Sequence, residues 1–193
     1  MLTAYYAAHY DTLLVLISLL VAILASYTAL DMAERINATQ HKGAALWLAG
    51  GAFAMGVGIW SMHFIGMLSF RLPIALGYDL SLTITSLVIA VVASGFALWR
   101  ISQATLSIMQ LCVSALLMGI AIAAMHYTGM AALRMTPGIE YDPLLFSLSV
   151  LIAIAASGAA LWIAFTLRKN RPHMKRARAM AAVVMGIAII GMH

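Results

Sequence analysis

Residues 118–130 read Met118-Gly119-Ile120-Ala121-Ile122-Ala123-Ala124-Met125-His126-Tyr127-Thr128-Gly129-Met130. No Asp, Glu, Lys or Arg interrupts the stretch, and the apolar run that holds it extends from Leu106 to Leu133. A bilayer core needs about 20 helical residues to cross it, so this run is a membrane span. The same landmarks return in two other runs, as Met55-Gly56 leading to Met62-His63 and Met185-Gly186 leading to Met192-His193. In all three the Met-Gly and Met-His pairs are seven residues apart.

The runs between them repeat too. Each opens on Tyr-Asp, as Tyr10-Asp11, Tyr78-Asp79 and Tyr141-Asp142. Toward their far ends they read Ala25-Ser26-Tyr27-Thr28-Ala29-Leu30, Ala93-Ser94-Gly95-Phe96-Ala97-Leu98 and Ala156-Ser157-Gly158-Ala159-Ala160-Leu161. From Asp11 to His63 is 52 residues, from Asp79 to His126 is 47, and from Asp142 to His193 is 51. The chain is therefore one membrane-embedded domain, residues 1–193, of three two-helix repeats at about 10–70, 78–133 and 141–193. The expected fold is an all-α membrane protein with six transmembrane helices in a pseudo-threefold bundle. Small residues such as Gly50, Gly51, Gly56, Gly58, Gly119 and Gly186 mark where its helices approach closely.

Composition agrees. Of 193 residues, 64% are hydrophobic and 9% charged, with a mean hydropathy of +1.01. Soluble domains carry about 25% charged residues, so lipid is the solvent for most of this surface. The six spans are Thr12–Leu30, Ala44–Phe70, Leu80–Trp99, Leu106–Leu133, Leu144–Leu167 and Ala177–His193, and their one charged residue is Arg178, at the edge of the last. All four prolines fall between spans, where a missing N–H is tolerated. Thr12–Leu30 has no basic segment before it and reads as a span, not a signal peptide. Cys112 has no second cysteine to pair with and reads as a small buried apolar residue.

Charge sets the orientation. Arg35, Lys42, Arg100, Arg168, Lys169, Arg171, Lys175, Arg176 and Arg178 lie on one side, and only Arg71 and Arg134 on the other. The positive-inside rule places the nine in the cytoplasm and the N-terminus outside. Six tyrosines (Tyr5, Tyr6, Tyr10, Tyr78, Tyr127, Tyr141) gather on the outer side as an interfacial belt. The pI near 9.7 thus reflects topology, with no nucleic-acid partner; Arg168 to Arg178 is a topogenic cluster that would also suit anionic head groups.

His41 and His173 fall among cytoplasmic charges and read as solvated. His9, His63, His126 and His193 all fall near the outer boundary. Helical positions i and i+4 share a face, which joins His63 with Met67 and His126 with Met130. Met62 and Met125 point about 100° from the neighbouring imidazoles, reaching an inward site only at its edge. If the even helices face one another, three imidazoles and several thioethers converge beneath the outer surface. Imidazole with thioether and no thiolate is a soft donor set that favours copper, Cu(I) above all. Neutral imidazole, with Met as a second axial ligand, also suits haem iron. Both readings stand at this point.

Met125-His126-Tyr127-Thr128 followed by Gly129-Met130, the variant Met62-His63-Phe64-Ile65-Gly66-Met67, and Met192-His193 resemble the three motifs of the MHYT domain, a bacterial membrane sensor domain. The resemblance covers essentially the whole chain. It implies a sensor in the bacterial inner membrane that binds copper, Cu(I) or Cu(II), near the outer face and detects O2, CO or NO. It also implies a fused or associated cytoplasmic signalling domain, often one that turns over cyclic di-GMP, and leaves room for a homodimer. His63, Met67, His126, Met130 and His193 are the ligands it suggests, with Met62, Met125 and Met192 as contributors, Tyr127 as a hydrogen-bond donor beside the bound gas, and His9 as an additional residue. Copy one departs from the pattern at Phe64-Ile65. Copy three stops at His193, before the Gly-Met and the seventh helix usual in the family, so a seventh helix and an output domain are expected outside this chain.

Three functions follow in order: a sensor input domain, a haem protein, and a copper carrier that uses Met55 with Met62 and Met118 with Met125 as a ladder. The carrier reading lacks intramembrane charges to couple transport. An enzyme is not expected in this segment, which has no phosphate loop, no Ser-His-Asp order and no carboxylate pair within the membrane.

Overall fold

The computed structural model describes residues 9–39, 42–71, 76–136, 138–139, 141–167, 179–184 and 186. Five long helices dominate: α1 (Thr12–Ala38), α2 (Lys42–Ser69), α3 (Leu80–Ile101), α4 (Ile108–Ala131) and α5 (Pro143–Leu167). All five are long and apolar enough to cross a membrane. Residues 179–184 and 186 are also helical, and the rest of the expected sixth span lies outside the described residues.

The repeated aspartates explain where the odd helices begin. Asp11 accepts from the backbone N–H groups of Leu13 and Leu14, Asp79 from Leu82, and Asp142 from Leu144 and Leu145. Each carboxylate satisfies amides that have no partner within the helix and complements the positive end of its dipole. Pro143 opens α5, where its fixed φ and missing N–H cost nothing. Ser107 and Gln110 close a reciprocal capping box at the start of α4.

One helix departs from its expected span by more than two residues. α1 runs on to Ala38, past Leu30, carrying Asp31, Glu34 and Arg35 with it. The i,i+4 pair Arg35–Asp31 at 2.7 Å and the stacking of Arg35 on Trp47 support that extra length. The all-α expectation also gains two small β-ribbons. β1 (His9–Tyr10) pairs antiparallel with β2 (Phe70–Arg71), and β3 (Gly77–Tyr78) with β4 (Leu133–Arg134). They form because α2 and α4 each end beside the start of the odd helix of their own repeat. Asp11 N–H donates to the Ser69 carbonyl and Asp79 N–H to that of Ala132, both at 2.8 Å. Arg71 and Arg134 then close salt bridges to Asp11 and Asp79 at 2.7 and 2.6 Å.

The glycine of each Met-Gly pair marks a close helix crossing. A Cβ on Gly56 would lie 2.6 Å from the Val91 Cα of α3, and one on Gly119 2.5 Å from the Ile154 Cα of α5. One on Gly186 would lie 3.2 Å from the Ile23 Cα of α1. Val91, Ile154 and Ile23 all stand twelve residues after their capping Asp. Each even helix thus packs on the odd helix of the next repeat, and the last returns to the first. The three repeats close on one another as a pseudo-threefold ring.

The odd helices meet far from their capped ends. One apolar cluster unites Leu30 and Ala33 of α1, Ala93, Ala97 and Ile101 of α3, and Leu161 and Ala164 of α5, with Met118 of α4. Leu30 is 19 residues beyond Asp11, about 28 Å along a helix. Outward faces carry Leu13, Leu16, Leu20 and Leu24 on α1, and Val88 and Val92 on α3, more than half exposed. Only a lipid surround makes such a surface stable. Cys112, expected to be buried, lies on that exposed surface. Arg100, at the far end of α3 on the basic side, folds inward, and its Nε donates to Ser114 Oγ at 2.9 Å.

Candidate functional site

At the capped end the even helices come together. His63 of α2 and His126 of α4 stand six residues before Ser69 and Ala132, the residues whose carbonyls receive the odd-helix caps. Their ring centroids are 4.8 Å apart with planes inclined by 58°. His63 is fully buried and His126 half-buried. Phe64 packs edge-on to His63 and Tyr127 edge-on to His126.

Two features hold His63 in place. A Cβ on Gly129 would fall 2.5 Å from His63 Nε2 and 2.9 Å from its Cδ2, so the imidazole edge rests on bare α4 backbone. The Gly of the second motif therefore makes room for the His of the first. On the other side Ser18 donates from Oγ to the Met62 carbonyl at 2.9 Å, fastening α2 to α1 one residue before the histidine. Neither role was foreseen. Ser18, Ser86 and Ser149 each stand seven residues after a capping Asp, and that repetition was the available signal.

The methionines divide. Met62 and Met125 are buried, at 2% and 3% exposure, although the helical wheel turned them away from the histidines. Burial here is a property of the bundle: α2 has neighbours on two sides, with Gly51 against Met32 of α1 and Leu98 of α3. Met67 and Met130 are half-buried. Met130 lines a cavity of about 300 Å³ with Tyr127, Leu133, Ile139, Tyr141 and Phe146. Tyr127 also turns toward that side. Its hydroxyl shares a hydrogen bond with Ser149 Oγ at 2.5 Å, and Ser149 Oγ also lies 2.8 Å from the Phe146 carbonyl. In copy one the matching serine, Ser86, accepts from Trp60 Nε1 at 3.1 Å.

Met192 and His193 lie outside the described residues, as do His41 and His173; for His9 the description is limited to its backbone in β1. Among the described residues no group of three or more His, Cys, Asp or Glu gathers as a metal site. What the described residues do form is a two-imidazole pair, each histidine preceded in the chain by a buried methionine. The two rings meet across α2 and α4 at 4.8 Å between centroids. The donor chemistry fits a soft metal.

The charges at the capped end are set by the ribbons. The Arg71 guanidinium holds the Asp11 carboxyl below the usual carboxylate range, helped by the backbone N–H of Leu14. Arg134, with the N–H of Leu82, depresses Asp79 further.

Comparison with known proteins gives one family. A family model described as a bacterial signalling protein N-terminal repeat, MHYT, matches residues 56–114 and again 119–175. Both matches start at the glycine of a Met-Gly pair, so the family unit runs from even helix to odd helix. The chain is 64% identical over 184 residues to the bifunctional diguanylate cyclase/cyclic di-GMP phosphodiesterase MucR of Pseudomonas aeruginosa, covering 95% of this chain and 27% of that protein. It is 45% identical over 186 residues to the cyclic di-GMP phosphodiesterase NbdA of the same organism, covering 95% of this chain and 24% of NbdA. To the signaling protein YkoW of Bacillus subtilis it is 36% identical over 186 residues, covering 95% and 23%. The chain spans about a quarter of the length of these relatives. No solved structure matches it.

Proposed function

The chain belongs to the MHYT family of bacterial signalling proteins, and from that premise we propose that it is the input domain of a cyclic di-GMP signalling protein, holding copper at the outer face of the inner membrane and answering O2, CO, NO or a change of redox state. The observation that carries this reading is the His63–His126 pair: two imidazoles from different repeats, 4.8 Å apart inside a bundle of mostly apolar side chains. Intramembrane polar residues are kept where they do work. His63 and His126 would hold the metal, with Met62 and Met125 supplying thioethers and His193, Met192, Met67 and Met130 as further donors. Copper so bound would supply a one-electron couple and a soft centre for a diatomic ligand.

The protein's own contribution is to turn a change at the pair into helix displacement. A ligand moves a bundle only as far as its affinities for two conformations differ. Ser18 ties the backbone beside His63 to α1, and α1 enters the cluster of odd helices at the opposite end. A shift of α2 at the pair is thereby passed toward the side that carries nine of the eleven Lys and Arg, which this reading places in the cytoplasm. The output, cyclic di-GMP turnover, belongs to the region of such proteins that this chain does not span. Haem is the weaker reading, because a macrocycle would have to separate imidazole rings that already touch and displace Gly129 from His63.

Metal analysis and optical spectra of detergent-purified protein, beside a His63→Ala/His126→Ala variant, test the proposal. Stoichiometric copper lost in the variant is the expected result. Absent copper that does not load as Cu(I), or a Soret band that disappears with the histidines, would overturn it.

A further inference from the structure

A second polar layer lies deeper in the bundle. Ser26, Ser94 and Ser157 stand fifteen residues after Asp11, Asp79 and Asp142. They are 3%, 0% and 4% exposed, and none of their hydroxyls has a hydrogen-bond partner among the described residues. Other hydroxyls on the same helices behave differently. Thr28, Thr85, Ser147 and Thr166 each donate to the carbonyl four residues back, at 2.8 Å. That bond is open to any helical serine by rotation about χ1. At the three matching positions, and in all three repeats, the hydroxyl forgoes it and turns elsewhere.

Where the hydroxyls turn follows from their neighbours. Seven residues on, at almost the same angle of the helix, come Ala33, Ile101 and Ala164, and all three belong to the cluster in which the odd helices meet. One turn below the serines lie Leu30, Leu98 and Leu161, buried. One turn above lie Ala22, Ala90 and Ala153, also buried. The serine face is thus the face the odd helices turn toward the pseudo-threefold axis, with Leu30 and Leu161 of that cluster as a floor and three alanines leaving room above.

We propose that Ser26, Ser94 and Ser157 form a three-hydroxyl cradle on this axis that holds an ordered water molecule. A buried hydroxyl without a partner carries a desolvation cost, and three at one level call for a guest that both donates and accepts. A water with two to four polar partners meets that need. A bare ion does not, because three neutral hydroxyls with no carboxylate among them are a poor exchange for a hydration shell. The guest joins three helices through one molecule and is a site separate from the histidine pair.

Radiolytic footprinting of the intact chain in detergent tests this, since radicals born from bound water oxidise the side chains beside it. Met118, buried in the same cluster, is the reporter, and Met125, buried beside the histidines, is the control. Met118 oxidation is expected to fall severalfold in a Ser26→Ala/Ser94→Ala/Ser157→Ala variant while Met125 oxidation is unchanged. Thermal midpoints of the single and double Ser→Ala variants give a second reading: each single change lowers the midpoint, and the second lowers it less than the first because the water has already gone. A Met118 rate untouched by the triple change, or single changes that leave or raise the midpoint and add independently, would overturn the proposal.

Discussion

Gly129 decides whether the two imidazoles can meet. It is a helical residue of ordinary backbone conformation, and what it supplies is the missing side chain: any Cβ there would press into His63 Nε2. Gly129→Ala should therefore cost about 1–3 kcal/mol, as overpacking does, and abolish metal loading by moving His63. Gly50 is the matched control. Nothing lies within 4 Å of the Cβ it lacks, so Gly50→Ala should stabilise α2 by about 0.5–1 kcal/mol. Denaturation in detergent with metal analysis of both variants checks the pair. Loading unchanged in Gly129→Ala would mean that the imidazole is not held by this contact. In the sequence Gly129 was visible only as a letter of a motif, because its reason sits on another helix, 66 residues away.

At the scale of elements, the ribbons show what a charge count leaves out. Arg71 and Arg134 were legible as the two cations on the sparse side; each is also eight residues after a motif histidine and bonded to the Asp that caps its repeat's odd helix. Pairing across 60 or 55 residues is a matter of where helices end in space, which spacing alone does not reveal. A pH dependence follows. Both aspartates titrate below their ordinary 3.8, so the folded state's preference for their charged form is present above that pH and is lost as pH falls through the depressed values. The ribbons should therefore stay paired at pH 3.8, where an ordinary Asp is half protonated. Arg71→Gln should return Asp11 toward the ordinary value. The infrared carbonyl band of labelled aspartic acid reads this directly: at pH 3.8 it should be larger in the variant than in the wild type, and equal bands would refute the assignment to Arg71.

For the whole molecule, the threefold plan was legible because its landmarks are chemical: Asp caps, Met-Gly crossings and Met-His ends recur at nearly constant distances. Which faces meet was not, since every span is apolar nearly all round and the helical period carries little contrast. Small residues supply the missing contrast. Gly56, Gly119 and Gly186 each press against the backbone of the residue twelve positions past an Asp cap, on α3, α5 and α1 in turn. In lipid such close approach is a main source of helix association. An open bundle would need the first two contacts alone; a closed ring needs all three. Gly186→Leu should thus lower the thermal midpoint in detergent as much as Gly56→Leu and Gly119→Leu, each by about 1–3 kcal/mol, whereas Gly50→Leu, which faces open space, should not. If Gly186→Leu alone is tolerated, the return of the last helix to α1 contributes nothing to stability, and the repeats form an arc.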